Sequence, residues 1–124
     1  MKFFVMLGSI NMALAIALGA FGAHGLAGKV TEKMLSIWNT GAHYHIIHAL
    51  GLLFIGLLMA KTGGTSLLNT AGWLLFAGII LFSGSLYAMV LTNVKALGAI
   101  TPIGGVSFII GWILVAVFAA KHLN

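Results

Sequence analysis

Tyr44, His45 and His48 stand within one helical turn of each other in a stretch that is otherwise largely apolar. At 100° per residue, Tyr44 and His48 fall within about 40° and His45 within about 60° of His48, so the three share a stripe while His43 points elsewhere. Groups of this kind bind a ligand through hydrogen bonds, hold a metal or move a proton. Histidines at i and i+3 can chelate one ion, and a third can arrive from another segment, so His24, His45 and His48 form a weak metal or haem candidate. The chain has no cysteine and one acid, Glu32, which leaves that site without a carboxylate to orient its imidazoles. No cofactor is therefore expected. General acid–base work by His48 with Tyr44, or attack by Ser83 or Ser85, lacks an orienting carboxylate too, and the sequence does not point to an enzyme.

Composition sets the environment of these residues. Of 124 residues, 61% are hydrophobic and 6% charged. A water-soluble fold of this size could not cover that much apolar surface, so lipid is the implied solvent and membrane lipid the implied partner. The net charge of +5 comes from six lysines against Glu32. Because Lys2, Lys29, Lys33, Lys61, Lys95 and Lys121 are scattered over the polar gaps, they read as anchors at membrane boundaries, and a nucleic-acid partner is excluded.

The expected fold is all-α: one domain over residues 1–124, with four transmembrane helices and a short interfacial amphipathic helix before the second. Helix one is expected over residues 3–23, as a retained span and not a cleaved leader. Thr31 is placed as an N-cap and residues 32–41 as the interfacial piece, with Trp38 at headgroup level and a bend at Gly41. Helices two, three and four follow over residues 42–60, 67–91 and 102–120, with Thr101 as the last N-cap and Pro102 in the first turn. Lysine counting does not orient the chain, since Lys2, Lys61 and Lys121 on one side balance Lys29, Lys33 and Lys95 on the other.

An up-and-down bundle of four helices brings separated residues to one membrane face, the side where helix one ends and helix two begins, called here the loop-one face. His24, Tyr44, His48, Ser83, Ser85, Tyr87 and Thr101 converge there and are the candidate ligand-binding residues. Polar side chains at such depth turn to the bundle interior or a wet cavity. One reading makes the cluster a site that binds or passes a lipid-like or small polar ligand. The alternative gives it a purely structural role in an accessory or assembly protein, and Asn11 is then interhelical glue. Small residues offer close helix approach at Gly19, Gly22, Gly84, Gly104, Gly105 and Gly111, with Pro102 beside them. The steps Ala15, Gly19, Ala23 and Ser107, Gly111 also suit contacts within a homo-oligomer.

Four strings carry a family resemblance: Leu18-Gly-Ala-Phe-Gly-Ala-His-Gly-Leu26, Tyr44-x-x-x-His48-Ala-Leu50, Leu81-Phe-Ser-Gly-Ser-Leu-Tyr87 and Ile100-Thr-Pro-Ile-Gly-Gly105, with Gly111-Trp112 after them. In these the chain resembles the small membrane proteins grouped as domain of unknown function 423, with YgdD-like and YwdK-like bacterial members and a human transmembrane relative. The resemblance implies a multi-pass protein of a bacterial plasma membrane and places His24, Tyr44, His48, Ser83, Ser85, Tyr87, Thr101 and Pro102 at motif positions. His43, His45 and Lys33 fall outside the pattern, and the resemblance implies no activity.

Overall fold

In a computed structural model, which describes residues 2–124, four helices are long and apolar enough to cross a membrane. α1 covers Lys2–Leu26, α2 Glu32–Thr62 and α3 Ser66–Thr92. A short 3-10 turn, Lys95–Ala99, then leads into α4, Thr101–His122. At 1.5 Å per residue each helix exceeds the ~30 Å hydrocarbon layer. α1 pairs chiefly with α2 and α3 with α4, and α2 packed on α3 joins the two hairpins. Apolar side chains such as Ile10, Leu57, Ile80 and Ile109 remain exposed on the outside, where lipid solvates them.

Several expected boundaries move. Residues 32–41 are helical and begin at Thr31, whose hydroxyl accepts from the Met34 N–H at 3.1 Å. They are not a separate interfacial piece, because α2 is one uninterrupted helix of 31 residues. Gly41 lies inside it and does not end it. A Cβ there would lie 3.2 Å from the Tyr87 ring and 3.3 Å from Leu86, so this glycine serves close approach of α3. Trp38, expected as an interfacial anchor, is instead packed inside the bundle: it is 1% exposed, and its indole N–H donates to the Leu18 carbonyl at 2.8 Å. α1 runs past residue 23 through a π turn, Gly22–Leu26, in which Gly22 faces the Trp38 indole. Thr101 is the first residue of α4 and not its cap, which is Ile100, while Pro102 sits in the first turn as expected.

α3 holds a second π segment, Ile79–Gly84. A π turn inserts a residue into the i→i−4 ladder and shifts every later side chain around the helix. Here α4 comes close. Phe108 packs against Gly78, and a Cβ on Gly104 would strike the backbone of Phe82 and Leu81. The main apolar core, including Phe4, Leu52, Ile55, Leu68, Leu75 and Phe118, fills the half of the bundle that carries the termini. A smaller one around Leu26, Trp38 and Val90 closes the loop-one end.

Close approach depends on glycines that the sequence only partly revealed. Gly104 and Gly111 are tight, the latter with Leu75 at 2.8 Å from a would-be Cβ. Gly8, which the sequence did not single out, is tight as well, with the Leu53 amide and Ala49 carbonyl 2.7 and 2.8 Å from a would-be Cβ. Gly19, Gly84 and Gly105, expected as packing positions, meet nothing nearer than 3.8 Å. Ala15 and Gly111 are spent on contacts inside the protomer. A methyl group at Gly8 or Gly104 must displace backbone, so G8A and G104A are each expected to destabilise the bundle by about 1–3 kcal/mol. G84A is expected to be neutral, and equilibrium unfolding in mixed detergent micelles reads the difference.

Candidate functional site

His45 lies about 20 Å along α2 from Glu32, well inside the bundle, and is 3% exposed. Its Nε2 is 3.0 Å from the Oδ1 of Asn11 on α1, and its Nδ1 is 3.0 Å from the hydroxyl of Tyr87 on α3. Asn11 in turn donates from Nδ2 to the Leu7 carbonyl at 2.9 Å, which turns its Oδ1 toward the imidazole. The Asn11 oxygen only accepts, which puts a proton on His45 Nε2. His45 donates from Nε2 to Asn11, and its Nδ1 in the neutral ring accepts from the Tyr87 hydroxyl. One histidine outside the family-like strings thus ties three helices together.

His48, 4% exposed, turns to α4. Its Nδ1 donates to the Tyr44 carbonyl at 2.7 Å, and its Nε2 accepts from the Trp112 indole N–H of α4 at 3.0 Å. A carbonyl only accepts and an indole N–H only donates, so one neutral tautomer fits. The ring lies flat on Phe108, centroids 3.5 Å apart and planes 10° apart. Tyr44 is 39% exposed beside it.

The remaining hydroxyls fasten α3. Ser83, fully buried, donates to the Gly41 carbonyl at 2.7 Å. Ser85 meets the Thr101 hydroxyl at 2.6 Å, so Thr101, expected as a cap, reaches across to α3. Ser107 donates to the Leu74 carbonyl at 2.6 Å. Among the described residues no buried side-chain nitrogen or oxygen is left without a partner.

Not every expected residue joins. His24 is exposed in the last turn of α1. The three-histidine metal arrangement therefore does not form: His24 stands apart, and His45 and His48 have both ring nitrogens engaged with other partners. Among the described residues no group of three His, Cys, Asp or Glu could hold an ion. The cluster is also less confined to the loop-one face than expected. It runs inward from Tyr87, close to the end of α3, to Asn11, about 14 Å along α1 from Lys2. Asn11 and Trp112 belong to this hydrogen-bonded network, though the sequence underweighted them. A lone polar residue midway along an apolar span was the signal for the first, and an aromatic beside a small residue that of the second.

Two clefts open sideways from these networks. One, of about 400 Å³ between α1 and α3, is walled by apolar residues including Leu7, Leu14, Phe76 and Ile80, and the polar side chains lining it are Asn11, His45 and Tyr87. Gly84 lines it within the π-helical stretch of α3 and leaves room where a side chain would intrude. The other, about 420 Å³, lies between α2 and α4 beside Tyr44, His48, Phe108 and Trp112.

Fold and site together define a small polytopic membrane protein with a hydrogen-bonded interior. Residues 18–105 match the family model described as "Protein of unknown function (DUF423)", and the chain belongs to that family. It is 57% identical over 123 residues to the UPF0382 membrane protein YwdK of Bacillus subtilis, covering 99% of this chain and 100% of the relative. Identity is 55% to the UPF0382 membrane protein SERP0230 of Staphylococcus epidermidis, covering 98% of both. For SH2409 of Staphylococcus haemolyticus it is 48%, with both covered completely. No solved structure matches.

Since Asn11 and His45 satisfy each other in apolar surroundings, N11A and H45A are each expected to destabilise the bundle. A double-mutant cycle should return a coupling of about 0.6–2 kcal/mol, the range for hydrogen bonds between membrane helices. Additivity of the two substitutions would contradict the bond.

Proposed function

We propose that this protein binds a lipid-like molecule sideways from the bilayer, in the cleft between α1 and α3. The observation that carries the proposal is the pairing of an apolar wall with a floor made by Asn11, His45 and Tyr87. A ligand suited to it has a hydrophobic body and one hydrogen-bonding group such as a carbonyl or hydroxyl. Asn11 uses one amide proton on Leu7 and keeps a second, and the Tyr87 oxygen, while donating to His45, can accept once more. The network can therefore address a ligand without giving up its internal bonds. Passage of a solute through the bundle is less well supported, because the inward groups are engaged with each other and a solute would have to break them.

Gly84 fits this role. Its Cβ position is open toward the cleft, it belongs to the family-like Leu81–Tyr87 string, and it lies in a π segment, a distortion frequent at functional sites. The bacterial relatives support residence in a bacterial plasma membrane. A second reading, in which the polar network only locks helices, is favoured by the complete pairing of its buried groups. The two differ in whether anything occupies the cleft.

Filling the cleft while sparing the network separates them. In native mass spectrometry from mild detergent, the wild-type protein is expected to retain a lipid-like molecule. G84L, with an unchanged melting transition, is expected to lose it. Equal retention by both proteins, or no retained molecule in either, would contradict binding at this cleft.

A further inference from the structure

A different cleft lies at the loop-one end, on the boundary of the spans. Lys33, in the first turn of α2, and Lys95, which opens the 3-10 turn after α3, line a space of about 550 Å³ together with Met34, Ile37, Met89 and Asn93. Asn93 brings the two lysines together. It ends α3 in the left-handed conformation, φ 57°, with its N–H on the Met89 carbonyl at 2.8 Å, and the chain reverses toward the start of α2. The polar residues of the cleft are then the two lysines, Asn93 and Thr31, whose hydroxyl accepts from the Met34 N–H. The chain's single acid, Glu32, lines a separate cleft with Ser36, Asn39 and His43. Below the charges the wall is apolar: Met89 is buried, and Met34 and Ile37 are half-buried. A cleft at the opposite end has Lys2 alone among Val5, Met6, Gly56 and Ala60.

We infer that the Lys33–Lys95 cleft binds an anionic phospholipid, its phosphate between the two ammonium groups and its acyl chains along Ile37 and Met89. Charge decides the class. Two cations without an internal carboxylate attract a phosphate carrying net negative charge more than a zwitterionic headgroup, in which a choline or ethanolamine cation is repelled. Position decides the source, since a cleft with a charged rim and an apolar wall at the hydrocarbon boundary matches a lipid and not a free anion. This site shares no residue with the α1–α3 cleft and stands independently of the function proposed for it.

The test uses the full chain in mild detergent, with phosphatidylglycerol and phosphatidylcholine of identical acyl chains as probes and native mass spectrometry as readout. Wild-type protein is expected to prefer phosphatidylglycerol. K33Q and K95Q should each lower that preference about fivefold, and the double variant roughly thirtyfold, the effect of about one lysine's worth of attraction at each position. K121Q, at the opposite end, should leave it unchanged. Equal retention of the two lipids by the wild type would overturn the inference. So would a full preference in K33Q/K95Q, or an equal loss in K121Q. Both lysines are exposed, so the substitutions leave packing intact, and the two single variants provide separate tests.

Discussion

Inside a bilayer there is no water to satisfy a buried donor or acceptor, and each such group must find its partner within the protein. His45 meets that constraint for three helices at once, giving a proton to Asn11 on α1 and taking one from Tyr87 on α3 while standing on α2. His48, one turn further along, does the same between α2 and α4 through Trp112. Neighbouring positions on α2 thus reach different helices, α1 and α3 from His45 and α4 from His48. Hydrophobic burial does not choose one packing over another in lipid, so these directional bonds and the glycine contacts must set how the hairpins dock.

Docking is close because small residues permit it, and it is uneven because α3 changes pitch. The glycines at 8, 104 and 111 bring backbones or branched side chains to contact. Over Ile79–Gly84 the wider turn redirects the side chains within it and beyond it, with Ser83 bonded to α2, Ser85 to α4 and Tyr87 to His45. The same stretch leaves Gly84 uncovered on the side of α1. The helix irregularity that lets α3 bond to both α2 and α4 also leaves the opening proposed to take a ligand.

Much of the architecture was legible in the sequence. Lysines and glycines in the polar gaps mark the four spans, and the Thr31 cap is signalled by a hydroxyl residue placed before an acid and a periodic apolar run. What was hidden depends on tertiary contact. Gly41 and Trp38 carry the local marks of a bend and an interfacial anchor, yet α3 packs on the one and the Leu18 carbonyl binds the other. His45 belonged to no motif, and the central position it holds comes from a single asparagine 34 residues earlier. Neither π segment has a local signal of its own. Gly84 looked like a contact glycine because it sits among small residues, and only the position of α1 shows that the space above it is free.

The structure depends on two interior histidines that each keep one tautomer: His45 with Nε2–H on Asn11 and Nδ1 on the Tyr87 hydroxyl, and His48 with Nδ1–H on the Tyr44 carbonyl and Nε2 on the Trp112 indole. Nitrogen-15 NMR of the imidazole rings in detergent micelles distinguishes protonated from bare nitrogens. The account predicts a proton on Nε2 and a bare Nδ1 for His45, and the reverse for His48, with neither averaged by exchange. Mixed tautomers, or two protonated nitrogens on either ring at neutral pH, would contradict it.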